Sequence, residues 1–509
     1  MSEPPEPVSS QRWHNPFGRA MTSPNSVNAN HGPAPESPLS SCCRQLFVPV
    51  DVLPLACFRI FFGAIMLYDV AASLSWGSVA ALYIEPPFHF TYPGFGWVKP
   101  WPGQGMIIHY WVLVFAAAGI MLGCCYRFSA TMFALGMTYV FLLEKSLYQN
   151  HYYLVCLISG IMVFVPAHRM WSVDALVRRK GRVHTAPQIW LWLLRVQLAI
   201  PYIYGGMAKI NDDWLHGMPM RIWLEQRTYL PVIGPWMTSD FVVYLICWGG
   251  LVFDLLVVPA LFWRPTRTIA YAAALGFHLT NVFLWDIGIF PWFMIGATLL
   301  FFPAGSFRQA LFRRGTRRSG PSDSSVAWTW RNRTTVAATG VFVTWQLLFP
   351  FRHFLYPGNV HWTNEAHHFS WHMMLRDKVA ETRFVISNTH TGKRGLVRVE
   401  DILSQTQYVI MGEDADMIVE FAQFVAAGYR ERDEGNVEIR VLAVASLNGR
   451  KYQLFMNPQI DYASVDRPWG TQPWIIPLHE PLRTDGWNLS AEQRTAEIGV
   501  LIPAEMRLP

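Results

Sequence analysis

The stretch RVQLAIPYIYGGMAKINDDWLHGMPMRIWL, residues 195–224, decides what kind of chain this is. It runs as an apolar helical segment to Lys209 and then breaks into a polar, acidic, Trp-rich turn. An ammonium group at the edge of an apolar segment is costly to desolvate. Just before it, Gly205 and Gly206 let a second backbone or a flat ligand come close. Position alone leaves two readings open. Lys209 can snorkel its charge to the lipid headgroups from a helix end, or it can be a functional lysine held at the membrane edge.

The rest of the chain supplies the setting. Of 509 residues, 52% are hydrophobic and only 15% charged, too apolar for a soluble chain of this size. Twenty-three Trp, 33 Phe and 19 Tyr suit a polytopic membrane protein with aromatic belts at both interfaces. A net charge of +6 without a basic, aromatic-interleaved patch excludes a nucleic-acid partner. Cys42, Cys43, Cys57, Cys124, Cys125, Cys156 and Cys247 fit no zinc or haem spacing and are expected to be mostly small buried side chains. None lies beyond Cys247, so the C-terminal part has no internal disulfide.

Residues 1–45 are rich in Ser, Pro, Asn and Gly and read as a disordered cytoplasmic N-terminus without a signal peptide. Nine apolar segments follow, near 52–75, 107–126, 128–147, 150–166, 188–209, 239–262, 267–284, 286–303 and 334–350. The predicted fold is therefore a polytopic α-helical membrane bundle of about 8–9 transmembrane helices over 46–350. Arginines mark its sidedness. Arg127, then Arg169, Arg178, Arg179, Lys180 and Arg182, then Arg264 and Arg267, then the Arg308–Arg333 group all fall in even-numbered connections. By the positive-inside rule these connections and the N-terminus are cytoplasmic. Lys209 then lies at the outer face, together with the odd connection EPPFHFTYPGFGWVKPWPGQG, 85–105.

After 350 the chain turns more charged and its helical period stops. RFVISNTHTGKRGLV, 383–397, reads as a hairpin, 416–432 as a helix, and VEIRVLAVASLNGRKYQLF, 437–455, as strand, Asn-Gly turn, strand. Residues 351–509 are expected to form an extracytoplasmic α+β domain with a sheet, beside the outer mouth of the bundle.

Ionisable residues inside the spans are the first functional candidates: Arg59, Asp69, His151, Arg195, Lys209, Asp254, His278 and Asp286. Arg59, Asp69, Arg195 and Asp254 are expected to pair as Arg–Asp bridges between helices. His151 and His278 are either satisfied core histidines or members of the outer cavity. HWTNEAHHFSWHMMLR, 361–376, gathers His361, His367, His368 and His372, but in no standard metal spacing, so no metal is expected. A lysine whose burial favours the neutral amine could act as a base toward a hydroquinone hydroxyl.

Five ordered blocks carry a resemblance to a known family. They are EKSLYQNHYYLVCLISG with AHRMWSVDAL (144–176), GGMAKINDDWLHG (205–217), GFHLTNVFLWDIGIF (276–290), WTNEAHHFSWHMM (362–374) and NPQIDYASVDRPWGTQPWIIPL (457–478). From about 50 to 480 the chain resembles the vitamin K-dependent gamma-carboxylase family, whose membrane part is the HTTM domain. The resemblance implies an integral membrane carboxylase. It would use a reduced vitamin K or menaquinol, O2 and CO2 to turn protein glutamate into γ-carboxyglutamate, with quinone epoxide as co-product. It implies Lys209 as the base that deprotonates the hydroquinone and His151 as a catalytic neighbour. Gly205, Gly206, Trp214, His278, Asn281 and Trp371 would form the quinol and substrate pocket. The partners would be a glutamate-containing protein or peptide and the bilayer with its quinol.

The departures matter as well. His372 and Arg376 stand where animal enzymes have an acid and a histidine, and MPMRIWLEQR, 218–227, differs from the animal pattern. Residues that hold the glutamate therefore do not carry over, and a short, Arg-rich chain of this kind points to a prokaryotic homologue. Two alternatives follow: a quinol-epoxidising membrane enzyme without carboxylation, and a non-enzymatic transporter or export factor on the same bundle.

Overall fold

The computed structural model describes residues 43–178, 183–285, 287–312, 328–432, 436–468, 470–483, 486–487, 489–503 and 506. Each apolar segment of the sequence forms a helix. They are α1 (Leu53–Ser75), α2 (Gly105–Leu122), α3 (Tyr126–Leu143), α4 (Asn150–Phe164), α5 (Gln188–Ala208), α6 (Asp240–Phe262), α7 (Arg267–Leu284), α8 (Phe290–Thr298) and α9 (Trp330–Leu348). The ends follow local chemistry. Pro54 opens α1, where its missing N–H costs nothing. Ser239 caps α6 by accepting from the Val242 amide, and Thr329 caps α9 in the same way. Gly123 closes α2 in the left-handed conformation. The predicted disordered N-terminus lies, up to residue 42, outside the described residues, as do Arg179, Lys180, Arg182, Asp286 and residues 313–327.

Among the described residues, five of these helices are long and apolar enough to cross a membrane: α1, α2, α3, α6 and the helical run 330–355 that begins with α9. A sixth span results if α8 and its 3-10 turn are joined to the helix Ala304–Phe312, from which they are bent by 110°. The count of 8–9 is thus not reached on length and composition. The reason is physical. α4 has only 15 residues, α5 carries Gln188, Arg195 and Gln197, and α7 starts at Arg267 and carries His278 and Asn281. The helices that fall short are either brief, as α4 and α8 are, or carry several polar residues, as α5 and α7 do.

Sequential helices pack as neighbours, α1 on α2, α2 on α3, α3 on α4, α6 on α5 and on α7. Their shared apolar core runs from Val52 and Phe62 through Phe133, Leu154 and Leu198 to Phe293 and Trp371. The expected Arg–Asp bridges between helices are absent among the described residues. Arg59, fully buried, instead donates to the carbonyls of Ile120 (2.7 Å), Met121 (2.6 Å) and Trp171 (2.5 Å). Arg195 donates to the Leu300 carbonyl at 2.8 Å, Asp69 accepts from the Tyr152 hydroxyl at 3.2 Å, and Asp254 pairs with Lys209. Carbonyls left open at helix ends are strong acceptors, and a guanidinium with five donors meets several at once. The cysteines also differ from expectation: of the six described, only Cys247 is buried and Cys124 and Cys125 are exposed.

The C-terminal residues build an antiparallel sheet in the order β4-β3-β5-β6, from β3 (Lys378–Asn388), β4 (Arg394–Leu396), β5 (Val437–Leu447) and β6 (Gln453–Leu454). Both predicted hairpins are present. In the second, Asn448 and Gly449 take φ of 53° and 75°, as an Asn-Gly turn requires. Helix α10 (Gln405–Gly412), started by a capping box at Ser404, and helix α11 (Ala415–Glu431), capped by Asp414, cover the sheet. Phe384, Ile418, Phe421, Val441 and Phe455 form their core.

Residues Arg44–Pro509 form one compact unit, and its contacts sort the connections onto two sides. Phe88 and Phe90 from the 85–105 connection enter the sheet core, and Lys145 reaches Asp414 (3.1 Å) and Asp416 (2.9 Å). The odd connections therefore lie with the sheet. On the other side β1 (Pro49–Asp51) pairs with β2 (Thr185–Pro187), and Arg308 pairs with Asp51 at 2.6 Å.

Candidate functional site: a lysine-bearing cavity beneath the sheet

Lys209 is the C-cap of α5, one residue past the helix, and Asn211 starts the next short helix by accepting from the Trp214 amide at 3.0 Å. The chain reverses there because Asn is a good N-cap and the acidic Asp212 and Asp213 suit a helix start. The lysine does not snorkel. It is 7% exposed, and its Nζ lies 2.6 Å from Asp254 Oδ2, donates to the Gly205 carbonyl at 3.3 Å and sits 5.3 Å from the Trp214 ring centre. Trp214 is fixed by its indole N–H, which donates to the Cys247 carbonyl at 2.8 Å. Asp254, on α6, is 4% exposed.

These groups open on a cavity of about 940 Å³, and His151, Trp214, His278 and Asn281 line it as well. His278 is 1% exposed and its Nε2 shares a 2.7 Å hydrogen bond with the Tyr202 hydroxyl, while Nδ1 has no partner. His151 lies over Phe290 with ring centres 5.8 Å apart. Five of the eight sequence-predicted residues thus meet around one cavity.

The other three do not line it. A Cβ on Gly205 would meet Met373 Cε at 2.9 Å and Asp254 Oδ2 at 3.5 Å, so its bareness makes room for the wall behind Lys209. A Cβ on Gly206 would come within 2.8 Å of Leu255 Cδ2 and 3.1 Å of the Leu255 amide, so this glycine serves the α5–α6 crossing rather than a flat ligand. Trp371 is 1% exposed and packs on Tyr153 with ring centres 5.0 Å apart, behind the wall.

Sequence reasoning missed two residues and one pairing. Asp254 was visible as a carboxylate in an apolar run, but not its partner. Tyr202 carried no signal beyond helical spacing. Asp213, directly after the lysine turn, accepts from Arg450 at 2.6 Å and 2.7 Å and from Asn448 at 2.6 Å, tying the lysine turn to the β5–β6 hairpin.

The loop 364–374 forms the cavity's far rim through His372, Met373 and Met374. Asn364, Ala366, Phe369, Trp371 and Met374 all have φ between 51° and 66°, a left-handed conformation that non-glycine residues rarely adopt. Tertiary bonds hold it. The Tyr148 hydroxyl accepts from the Phe369 amide at 2.6 Å, and Asn150 donates to the His372 carbonyl at 3.2 Å. Burial, then the positive fields of His361, His353, Arg376 and Arg352, holds the His372 imidazole down to about 2. At the opposite end, burial pushes the Glu144 carboxyl up to about 7, although the amides of Phe90 and Ser146 and the Gln407 side chain donate to it. Among the described residues no group of three His, Cys, Asp or Glu could hold a metal ion.

A helical membrane bundle with a lysine cavity under an antiparallel sheet defines a class of protein, and two families match its two parts. Residues 47–305 match the HTTM domain, and residues 331–481 match the lumenal domain of vitamin K-dependent gamma-carboxylase. The chain belongs to the vitamin K-dependent gamma-carboxylase family. No solved structure matches it. Membership implies a vitamin K hydroquinone as co-substrate and glutamate-containing proteins as substrates.

Proposed function

We propose that the protein is an integral membrane γ-glutamyl carboxylase with Lys209 as its base. The observation that carries this is the buried Lys209–Asp254 pair, 2.6 Å apart, on a cavity shared with His151, His278 and Asn281. Reduced vitamin K or menaquinol, O2 and CO2 supply the chemistry that carboxylates glutamate and leaves a quinone epoxide. This chain's residues supply the proton handling. In a low-dielectric site, moving the proton from Lys209 Nζ to Asp254 turns an ion pair into a neutral pair and removes the cost of burying two charges. The free amine then accepts a hydroxyl proton from the quinol. The His278 Nδ1, without a protein partner, and Asn281 can hydrogen-bond a quinol oxygen, and His151 offers a ring face and a nitrogen beside it.

In this reading the bundle over 46–350 crosses the membrane eight or nine times. Helices α4, α5 and α7 count among the spans, with His151 and Tyr152 of α4, Tyr202 of α5 and His278 and Asn281 of α7 lining the cavity. The N-terminus is cytoplasmic, and 351–509 is an extracytoplasmic domain. The test is incubation of the purified protein with reduced quinone, labelled bicarbonate and a Glu-containing peptide. Label in the peptide together with epoxide is expected. Epoxide without label would select the quinol-epoxidising alternative, and neither product would reject an enzyme of this kind.

A further inference from the structure

Two carboxyls on the cavity wall play no part in the proton chemistry at Lys209. Asp69, on α1, and Glu144, at the end of α3, line the cavity with it. Asp69 accepts from the Tyr152 hydroxyl at 3.2 Å. Glu144 is 2% exposed and accepts from the Ser146 amide at 3.0 Å and from the Gln407 side chain at 2.9 Å. Lys209 is the only lysine or arginine among the described residues of the wall, and Asp254 holds it. Burial holds the Glu144 carboxyl up to about 7, so near neutral pH it both takes up and releases a proton.

Tyrosines accompany the two carboxyls. Tyr83, at the end of the short helix Ser78–Tyr83, and Tyr110, on α2, line the same wall with ring centres 6.2 Å apart. Tyr83 lies in the field of both Asp69 and Glu144, and Tyr110 in that of Asp69 and Tyr152. A hydroxyl accepts and donates at once, so it passes a proton on without keeping a charge. The series starts beside the reacting groups, where the His151 ring centre is 4.6 Å from that of Tyr152. It ends at the sheet, because Gln407 belongs to α10. The other titratable groups around Glu144 are Tyr92, in its field from the 85–105 connection, and Lys145, which turns away to Asp414 and Asp416.

The carboxylase reaction needs an exit for protons at this cavity. Quinol, O2, CO2 and a glutamate γ-C–H give epoxide, water and a new carboxylate. A C–H bond breaks, a C–C bond forms to CO2, and one proton is left over. Lys209 with Asp254, which takes the hydroxyl proton of the quinol, ends each turnover one proton richer than it began and has to shed it before the next. We propose that Asp69 and Glu144, joined by Tyr152, Tyr110, Tyr83 and cavity water, carry this proton from the reaction cavity to the sheet side of the bundle. The inference rests on the carboxylase reading for the source of the proton.

Labelled product is measured on the full-length protein in two regimes. With enzyme in excess over quinol each molecule turns over once, and the leftover proton need not leave. With quinol in excess it has to. Glu144→Gln and Asp69→Asn should each label a Glu-containing peptide within about twofold of the wild-type rate in the first regime and about tenfold or more slowly in the second. Imidazole added as a mobile proton carrier should restore the second rate. Infrared titration of the resting protein, which needs no turnover, should show a carboxyl band that titrates near pH 7 and is missing from Glu144→Gln. Equal slowing in both regimes, no slowing in either variant, or a Glu144 carboxyl that does not titrate around neutral pH overturns the route and leaves the carboxylase reading standing. A wild type that incorporates no label rejects that reading and the route with it, because without carboxylation no proton is left over.

Discussion

At the scale of the residue, Lys209 and Asp254 behave as one unit. Removing one member leaves a buried, unpaired charge, which costs about 3–5 kcal/mol, whereas replacing both by apolar groups of similar volume is near neutral. Lys209→Met should therefore lower the thermal midpoint markedly, and Lys209→Met with Asp254→Leu should recover most of it, both without activity. Asp254→Asn keeps the shape but removes the proton acceptor, and turnover should fall by about 10²–10⁴. Glu144 gives a pH test. Its folded-state carboxyl is raised from the usual 4.5 to about 7. A raised carboxyl contributes stability below its unfolded value that is lost as pH rises through the folded one. Between pH 4.5 and 7 the protein should thus lose roughly 3 kcal/mol from this group. Glu144→Gln should flatten that part of a thermal-midpoint-against-pH curve and be the more stable form at pH 8. Lys209 was legible in the sequence because an ammonium in an apolar run stands out. Its partner was not, because the pairing depends on how α5 and α6 are rotated against each other across 45 residues of chain.

At the scale of the element, each apolar run of the sequence holds one of the helices α1–α9, because a continuous apolar stretch is the strongest signal a helix of this kind gives, while the polar helix Ala304–Phe312 escaped it. Within those runs α4 carries His151, α5 carries Arg195 and Gln197, and α7 carries His278 and Asn281, which lowers the hydropathy by which a span is recognised. The close approach of α5 to α6 is the packing feature that places Lys209 beside Asp254. Gly206→Val would drive a side chain into the Leu255 backbone, 3.1 Å from the first added carbon, and should cost about 1–3 kcal/mol with loss of activity. Gly205→Ala would put its new carbon 2.9 Å from the Met373 methyl, the free end of a flexible side chain, and at ordinary contact distance, 3.5 Å, from Asp254 Oδ2, so its thermal midpoint should change little. The histidine loop was unreadable from sequence for a different reason. Its five left-handed residues have no period, and bonds from Tyr148, Asn150 and Arg352 hold it, all distant in the chain.

At the scale of the whole molecule, the sheet is fastened to the bundle by buried charges. Asp213 with Arg450 joins it at the lysine turn, and Lys145 with Asp414 and Asp416 joins it at the α3–α4 connection. The Lys145 ammonium holds Asp414 and Asp416 below the usual carboxylate range despite their burial. Arg450→Met should leave Asp213 buried and unpaired and cost about 3–5 kcal/mol. Limited proteolysis should then cut within 378–460 while the membrane helices stay intact. Phe88 and Phe90 of the 85–105 connection lie in the sheet core, so that connection and the sheet share one side of the bundle. The ion pairs that join the parts follow no local pattern and needed the fold.

The most direct test of the central claim is incorporation of labelled CO2 into a Glu-containing peptide by the purified protein with reduced quinone. Wild type and a folded Lys209→Ala variant are compared at saturating quinol. The account predicts label in γ-carboxyglutamate and matching epoxide for wild type, and loss of both products in the variant. Label incorporated equally by both proteins would contradict it.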